Sequence, residues 1–468
     1  MISDTLRGTK EVFEPISPPN VNMYVCGPTV YDEPHLGHAK TAVFFDVVRR
    51  YLTWAGYSVF YVTNVTDIDD KIIARAAREG VDWKEIARRY EEEYFGAMQD
   101  LKVISATANP RATEYIDKIL ELISGLVKSG HAYVTSDGVY FSVETFEGYG
   151  KLSKVKLENL VRDARVKTSE EKRHPADFAL WKFSKPGEPK WPAPWGDGRP
   201  GWHIECSAMI YALLGEQIDI HGGGSDLIFP HHENEIAQSE AFTGKRPFVK
   251  YWMHVGLLNV RGEKMAKSLK NYFSVKAALQ RYDPDVLRIF LTSAHYRKPL
   301  EFSENALKST ENRVRSWKEA AMRAAQYSLE GRKGELNEDE LEMKKVMHSE
   351  IKKFFSALSD DFNTPVAYAS LDALASMASR IVSEGLSPNL ASEIVYLMDR
   401  ASSLLGIDVL SRSQRKDVLP YVEALVEVRK ELRKRKMYDI SDAIRAKLRD
   451  LGVIVEDKNG DSIWWFED

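Results

Sequence analysis

An early alternation of patterns is the strongest constraint on what this chain can fold into. Residues 21–25 form a short apolar strand candidate, followed by Cys26-Gly27-Pro28-Thr29 and the turn-prone Tyr31-Asp32-Glu33-Pro34. From His35 the pattern becomes helical and stays apolar through Ala42, Val43, Phe44, Val47, Val48 and Leu52. A second β-rich segment, 58–65, runs into Thr66-Asp67-Ile68-Asp69-Asp70. Strand, helix and strand in this order predict an α/β fold with a parallel sheet and a site at the carboxyl ends of its strands.

A chain of 468 residues exceeds one ordinary domain, so two to four are expected. Residues 71–130 read as mostly helical, with Gly80 and Asn109-Pro110 as breaks. The stretch 131–198 carries short β-like pieces such as Val139-Tyr140-Phe141 and loops rich in Trp, Pro and Gly, the signature of an insertion within the α/β domain. Strand and helix patterns resume over 202–220, then Gly222-Gly223-Gly224 leads to a helix-like 231–242. After about residue 305 helical spacing dominates to about 450, predicting an all-α bundle. It closes with a small unit in which Val453-Ile454-Val455 and Ile463-Trp464-Trp465-Phe466 pair across Lys458-Asn459-Gly460-Asp461.

The 65 Lys+Arg and 69 Asp+Glu residues give a net charge of -4, which excludes a global positive field. Contact with nucleic acid must then come from a local surface such as the basic run Arg429-Lys430-Glu431-Leu432-Arg433-Lys434-Arg435-Lys436. A charged helix face is the commoner explanation of such a run. The start lacks the apolar stretch of a signal peptide, and no apolar run approaches the ~20 residues of a membrane span. The expectation is a cytoplasmic protein with no membrane contact. Its only cysteines, Cys26 and Cys206, are too few for a disulfide framework and fit a reducing compartment, where they are buried or bind metal.

Two segments carry phosphate chemistry when taken together. Pro34-His35-Leu36-Gly37-His38 stands at a loop-to-helix junction, where helix N–H groups attract phosphate, Gly37 leaves room for a flat base, and His35 and His38 can donate to phosphoryl oxygens. Alone, it is also a proline-started helix with two surface histidines. In Glu263-Lys264-Met265-Ala266-Lys267-Ser268, preceded by Gly262, two lysines can reach one polyphosphate and offset charge developing on a leaving group. Alone, a lysine pair is usually a solvated face.

In this order, with a large insertion between them, the two segments resemble the HIGH and KMSKS signatures of class I aminoacyl-tRNA synthetases. Leu36 replaces the usual Ile, and Ala266 replaces the first Ser, which removes a hydroxyl but keeps both lysines. The resemblance implies a Rossmann-like catalytic domain that activates an amino acid with ATP and Mg²⁺ and transfers it to tRNA, with His35, Gly37, His38, Lys264 and Lys267 at the ATP.

A third group of residues bears on which amino acid. Cys26, Cys206 and the run His231-His232-Glu233-Asn234-Glu235 supply candidate metal ligands. On a helix His231 and Glu235 face the same way, while His232 pairs with Ile236. Cys26, Cys206, His231 and Glu235 would make a four-coordinate zinc site; two buried inert cysteines beside a polar helix are the plainer alternative. Cys26 ends the first strand shortly before His35, which puts the candidate zinc beside the ATP site.

These residues resemble the cysteinyl-tRNA synthetases over essentially the whole chain. The matching segments include Met23-Tyr24-Val25-Cys26-Gly27, Thr66-Asp67-Ile68-Asp69-Asp70-Lys71, Gly201-Trp202-His203-Ile204-Glu205-Cys206-Ser207, Asp219-Ile220-His221-Gly222-Gly223-Gly224-Ser225-Asp226-Leu227, Phe229-Pro230-His231-His232-Glu233-Asn234-Glu235 and Asp361-Phe362-Asn363-Thr364-Pro365. The resemblance implies one Zn²⁺ held by Cys26, Cys206, His231 and Glu235 that contacts the thiol of substrate L-cysteine, with tRNA(Cys) as partner. Zinc prefers thiolate to a hard hydroxyl, so such a site separates cysteine from serine better than size alone. Trp202 is a candidate wall of the side-chain pocket or a core tryptophan, and Asp226 a candidate partner of the α-ammonium or a turn residue. The implied division is a first catalytic half (1–108), a connective insertion (109–198), a second catalytic half (199–258), a KMSKS-containing stem-contact region (259–305), a helical bundle (306–410) and a C-terminal anticodon-binding unit (411–468). The same zinc and ATP motifs occur in a ligase that joins cysteine to an amino sugar in mycothiol synthesis, and a non-catalytic RNA-binding paralogue is a rival of another class. The long helical part favours tRNA, and the paired HLGH and KMAKS motifs favour catalysis.

Overall fold

Four parallel strands form the central sheet, in the spatial order Val249–Val255, Ile218–Gly224, Asn20–Val25 and Ser58–Thr63. The computed structural model describes residues 1–158, 171–260, 262–264, 272–329, 335–410, 415–451, 453–458 and 461–466. Register sets Val25 opposite both Thr63 and Gly222, and Val255 opposite Gly224, so the carboxyl ends lie together at one edge. The chain leaves Asn20–Val25 toward one side of the sheet and later fills the other, opening a crevice beyond Val25 where that order reverses.

Both faces of the sheet are covered, which is why its strands read as apolar runs. Val21, Met23, Ile220 and Met253 pack on one face against Phe44, Phe45, Val48 and Leu52 of the helix Leu36–Trp54. The opposite side of that helix, with Leu36, Ala39, Val43 and Val47, joins the core of the helical region. Each such Val, Leu or Phe contributes about 1.5–3 kcal/mol by leaving water. Tyr24, Val62, Ile218 and Trp252 face the other way, into a core shared with the helices Ile116–Lys128, Trp202–Leu213 and Glu233–Thr243. That core also takes in the insertion, an antiparallel sheet of Ala132–Val134, Gly138–Phe141, Phe178–Phe183 and Gly198–Pro200.

Beyond the sheet, the helices Glu304–Ser328, Glu338–Ser359, Thr364–Ser383 and Pro388–Leu404 begin at side-chain caps from Ser303, Asn337, Asn363 and Ser387, which satisfy first-turn N–H groups. The buried Arg288 ties their end to the helix Leu36–Trp54: its guanidinium donates to the Asp46 carboxylate and to the carbonyls of Leu101 (2.9 Å) and Leu405 (2.8 Å).

The chain divides into two compact units, Met1–Val409 and Leu410–Asp468. In the second, the helices Arg415–Lys434 and Tyr438–Asp450 pack with the hairpin Val453–Lys458 and Asp461–Phe466 around Val422, Val426, Leu448, Val453 and Val455. Arg429, the first residue of the basic run, is fully buried and binds both oxygens of Asp457 at 2.7 Å. It therefore braces this unit from inside and is not part of a phosphate-facing stripe. Trp464 packs against the same core.

Candidate active site

The four candidate metal ligands come from three parts of the chain and meet at the carboxyl edge of the sheet. Cys26 directly follows the strand Asn20–Val25, Cys206 sits in the helix Trp202–Leu213, His231 precedes the helix Glu233–Thr243 and Glu235 lies in its first turn. One donor atom from each lies within 4.8 Å of every other. The sulfurs of Cys26 and Cys206 are 3.8 Å apart, the Cys26 thiol donates to Glu235 Oε1 at 3.6 Å, and His231 Nε2 is 2.9 Å from that same oxygen. Two thiolates on a zinc tetrahedron with Zn–S of ~2.3 Å are separated by roughly 3.8 Å, so the sulfur spacing fits the ion.

Electrostatics prepare the set. Burial pushes the Cys206 thiol up, but its hydrogen bond with Cys26 and the adjoining His231 outweigh this and bring it down to about 6, whereas burial holds Cys26 well above its ordinary value. Burial also opposes charge on Glu235, yet His221 and His231 hold its carboxyl down to about 2. The resulting cluster of sulfur and carboxylate donors, with three of the four residues buried, attracts a divalent cation.

A second set of donors shares two of these residues: Cys26, His221, His232 and Glu235. His221 Nε2 is 2.8 Å from Glu235 Oε2, and His232 Nε2 is 3.2 Å from Cys26 Sγ. The helical reading turned His232 away toward Ile236, and the structure corrects it. The α-helix starts only at Glu233, and Ile228–His232 is irregular with Phe229 extended (φ -138°, ψ 133°), so both histidines point into the site. His232 Nδ1 continues to His254 Nε2 at 2.7 Å, and His231 Nδ1 to His203 Nδ1 at 3.0 Å. His203, His221 and His254 were missed by sequence reasoning. Glu205, beside Cys206, is buried and accepts from the Thr66 hydroxyl at 3.0 Å, which brings the Thr66-Asp67-Ile68 segment against this helix.

The helix Leu36–Trp54 begins with an unusual cap. His35 Nδ1 accepts from Gly37 N–H (3.1 Å) and His38 N–H (3.3 Å), His38 Nδ1 accepts from His35 N–H (3.4 Å), and the two rings stack at 3.8 Å. Because both Nδ1 atoms accept, the neutral form of each imidazole has its proton on Nε2. The backbone groups expected to receive phosphate are already engaged, with Leu36 N–H donating to Phe273 O at 3.1 Å. Gly37 serves the cap itself: a Cβ there would stand 2.8 Å from the His35 ring.

Lys264 ends the strand Glu263–Lys264, which pairs antiparallel with Leu258–Val260. Lys267, with Met265, Ala266 and Ser268, lies outside the described residues. Just beyond them, Val275 N–H donates to Pro34 O at 2.9 Å and Ser274 bridges to His35, so the chain returns to the head of the HLGH helix. Trp202 is 38% exposed, and its indole stacks on His231 at 4.2 Å; it borders the candidate metal site and is not a core residue. Asp226 is exposed in the short turn after Ile218–Gly224, with its carboxylate against Gly224. Among the described residues no helix is long and apolar enough to cross a membrane.

Residues 12–312 match the family described as tRNA synthetases class I (C) catalytic domain, and 353–410 match the DALR domain. A cysteine–tRNA ligase of Thermococcus gammatolerans is 46% identical over 99% of this chain and 98% of its own. A cysteine–tRNA ligase of Carboxydothermus hydrogenoformans is 47% identical over 97% of each chain. The Mycobacterium tuberculosis methionyl-tRNA synthetase in complex with methionyl-adenylate shares the fold, with a TM-score of 0.60 at 17% identity over 82% of this chain and 89% of that one. Likeness at this level over nearly the full length means that the chain belongs to the cysteinyl-tRNA synthetases, within the class I aminoacyl-tRNA synthetases.

Proposed function

We propose that the chain is a cytoplasmic cysteine–tRNA ligase that uses ATP, as its Mg²⁺ complex, and one zinc ion. A carboxylate oxygen of L-cysteine attacks the α-phosphorus of ATP, giving cysteinyl-adenylate and pyrophosphate. A ribose hydroxyl at the 3′ end of tRNA(Cys) then attacks the activated carbonyl and releases AMP. The observation that carries the reading is the spacing of the two sulfurs, 3.8 Å, beside Glu235 and His231 at the carboxyl edge of the sheet.

The four-residue set with both cysteines is favoured over the set with His221 and His232. Choosing the latter would leave the buried Cys206 sulfur, 3.8 Å from that of Cys26, beside the ion without bonding it. His221 then has a separate task, holding the outer oxygen of Glu235 so that the inner one points at the ligand position. Bound zinc supplies affinity for a thiolate, which lets the substrate sulfur be chosen over a serine hydroxyl. Trp202 walls the side-chain pocket and Asp226 receives the α-ammonium. His35 and His38 donate through Nε2 to the phosphates, and Lys264 and Lys267 offset charge on the departing pyrophosphate. The helical region and the C-terminal unit carry the tRNA.

The test is cysteine-dependent exchange of pyrophosphate into ATP, followed by charging of purified tRNA. Both activities are expected. Exchange with no charging of any tRNA would point to the amino-sugar ligase, and no exchange to a non-catalytic paralogue.

A further inference from the structure

Lys40 is an anomaly within the HLGH helix. It is 2% exposed, and among the described residues no carboxylate neutralises it; burial alone lowers its ammonium to about 8. All of its partners are backbone carbonyls: Gly256 O, Lys298 O at 3.1 Å and Leu257 O at 3.5 Å. Its surroundings, including Phe44, Val255, Leu291, Ala294 and Tyr296, are mostly apolar. An apolar side chain here would leave the Gly256 and Lys298 carbonyls without this donor, so the ammonium is tied to what it holds.

What it holds is the root of a small sheet. Gly256 and Leu257 link the central strand Val249–Val255 to Leu258–Val260, and Lys298 lies just before Leu300–Phe302, which pairs parallel with Leu258–Val260. The two links touch backbone to backbone. Gly256 N–H donates to Tyr296 O at 2.7 Å, Leu300 N–H donates to Leu257 O at 2.9 Å, and a Cβ on Gly256 would stand 2.4 Å from Lys298 O. The third strand of this sheet is Glu263–Lys264. One ammonium therefore joins the helix headed by His35 and His38 to both strand roots of the sheet that carries Lys264.

We infer that Lys40 is a positioning residue for the ATP step, fixing the small sheet so that Lys264 is presented to the same phosphates as His35 and His38. The inference rests on the reading of those three residues as the ATP site. Helix and sheet also meet through the shared core of Leu36, Ala39, Leu258 and Leu300; Lys40 adds the polar tie at the strand roots, and a displacement of about 1 Å at a reacting centre costs on the order of 100-fold in rate.

The experiment compares Lys40→Met and Lys40→Arg with the unmodified full chain, measuring pyrophosphate exchange, KM for ATP and for cysteine, zinc content, and amide hydrogen exchange over 258–264. Lys40→Met is expected to lower the exchange rate by roughly 10- to 100-fold and to speed amide exchange in that hairpin, with zinc content and KM for cysteine unchanged. Lys40→Arg, which keeps the charge and donors, is expected to recover most of the rate. A folded Lys40→Met that exchanges at the unmodified rate overturns the inference, as does a loss of rate equal in both variants. If Lys40→Met does not fold, Gly256→Ala, which wedges the two links apart, must show the same kinetic pattern, and an unaltered rate there is equally fatal. Absence of exchange in the unmodified chain defeats the functional reading and this inference together, whereas normal exchange with an indifferent Lys40→Met defeats the inference alone.

Discussion

The sulfurs of Cys26 and Cys206 stand 3.8 Å apart although 180 residues separate them. A pair this close, with one thiol brought down to about 6, is a half-built thiolate site. Cys206→Ser is expected to weaken zinc binding by more than the roughly 10- to 100-fold that loss of an outer partner costs, with cysteine activation falling in parallel. Metal analysis of the purified variant checks this; a full zinc complement would remove Cys206 from the ligand set.

His231 and His232 are neighbours with different expected roles. His231→Gln should lose zinc, while His232→Gln should keep one zinc per chain and lose activity mainly through KM for cysteine. The reverse pattern of metal content would assign the metal to the His221 and His232 set.

Much of this fold is legible in the sequence for one physical reason: the central strand at 21–25 is largely buried on both faces and appears as an apolar run, and the edge strand at 58–63, although Ser58 and Phe60 are exposed, keeps enough β-rich apolar residues to be read beside it. The terminal hairpin is equally plain, because Asn459-Gly460 between two β-rich runs is a strong turn signal. The ring of histidines is not. His221 and His254 sit inside strands of the central sheet, and only the register of those strands, with Trp252 opposite His221, draws them to the site. His232 was misdirected by assuming a regular helix from His231, whereas the α-helix begins at Glu233. The engaged N–H of Leu36 depends on Phe273, a tertiary partner that no local pattern indicates.

Lys267→Ala should reduce pyrophosphate exchange by about 10²–10³-fold, the range for losing one group that stabilises developing charge, and should leave zinc content intact. Equal exchange in variant and parent would exclude Lys267 from the phosphate step.

Acid should act early on the C-terminal unit. Hydrogen bonds from Arg429 hold the Asp457 carboxyl well below the usual carboxylate range, overcoming its partial burial. A depressed folded value means that the stabilisation is complete above the unfolded value of about 3.9 and is lost as pH falls through the acid range. Amide protection over 415–434, corrected for the pH dependence of intrinsic exchange, should therefore fall below about pH 4 in the parent, and Asp457→Asn should show that loss of protection already at pH 7. Protection in the variant matching the parent at pH 7 would show that the pair contributes nothing.

The central claim is that two cysteines of the chain share one zinc that also takes the sulfur of the substrate. X-ray absorption at the zinc edge tests it directly. The account predicts two sulfur neighbours at ~2.3 Å in the resting protein and three after L-cysteine is added, with no change on adding L-serine. A sulfur count that stays the same with cysteine, or that rises no more than with serine, would contradict it.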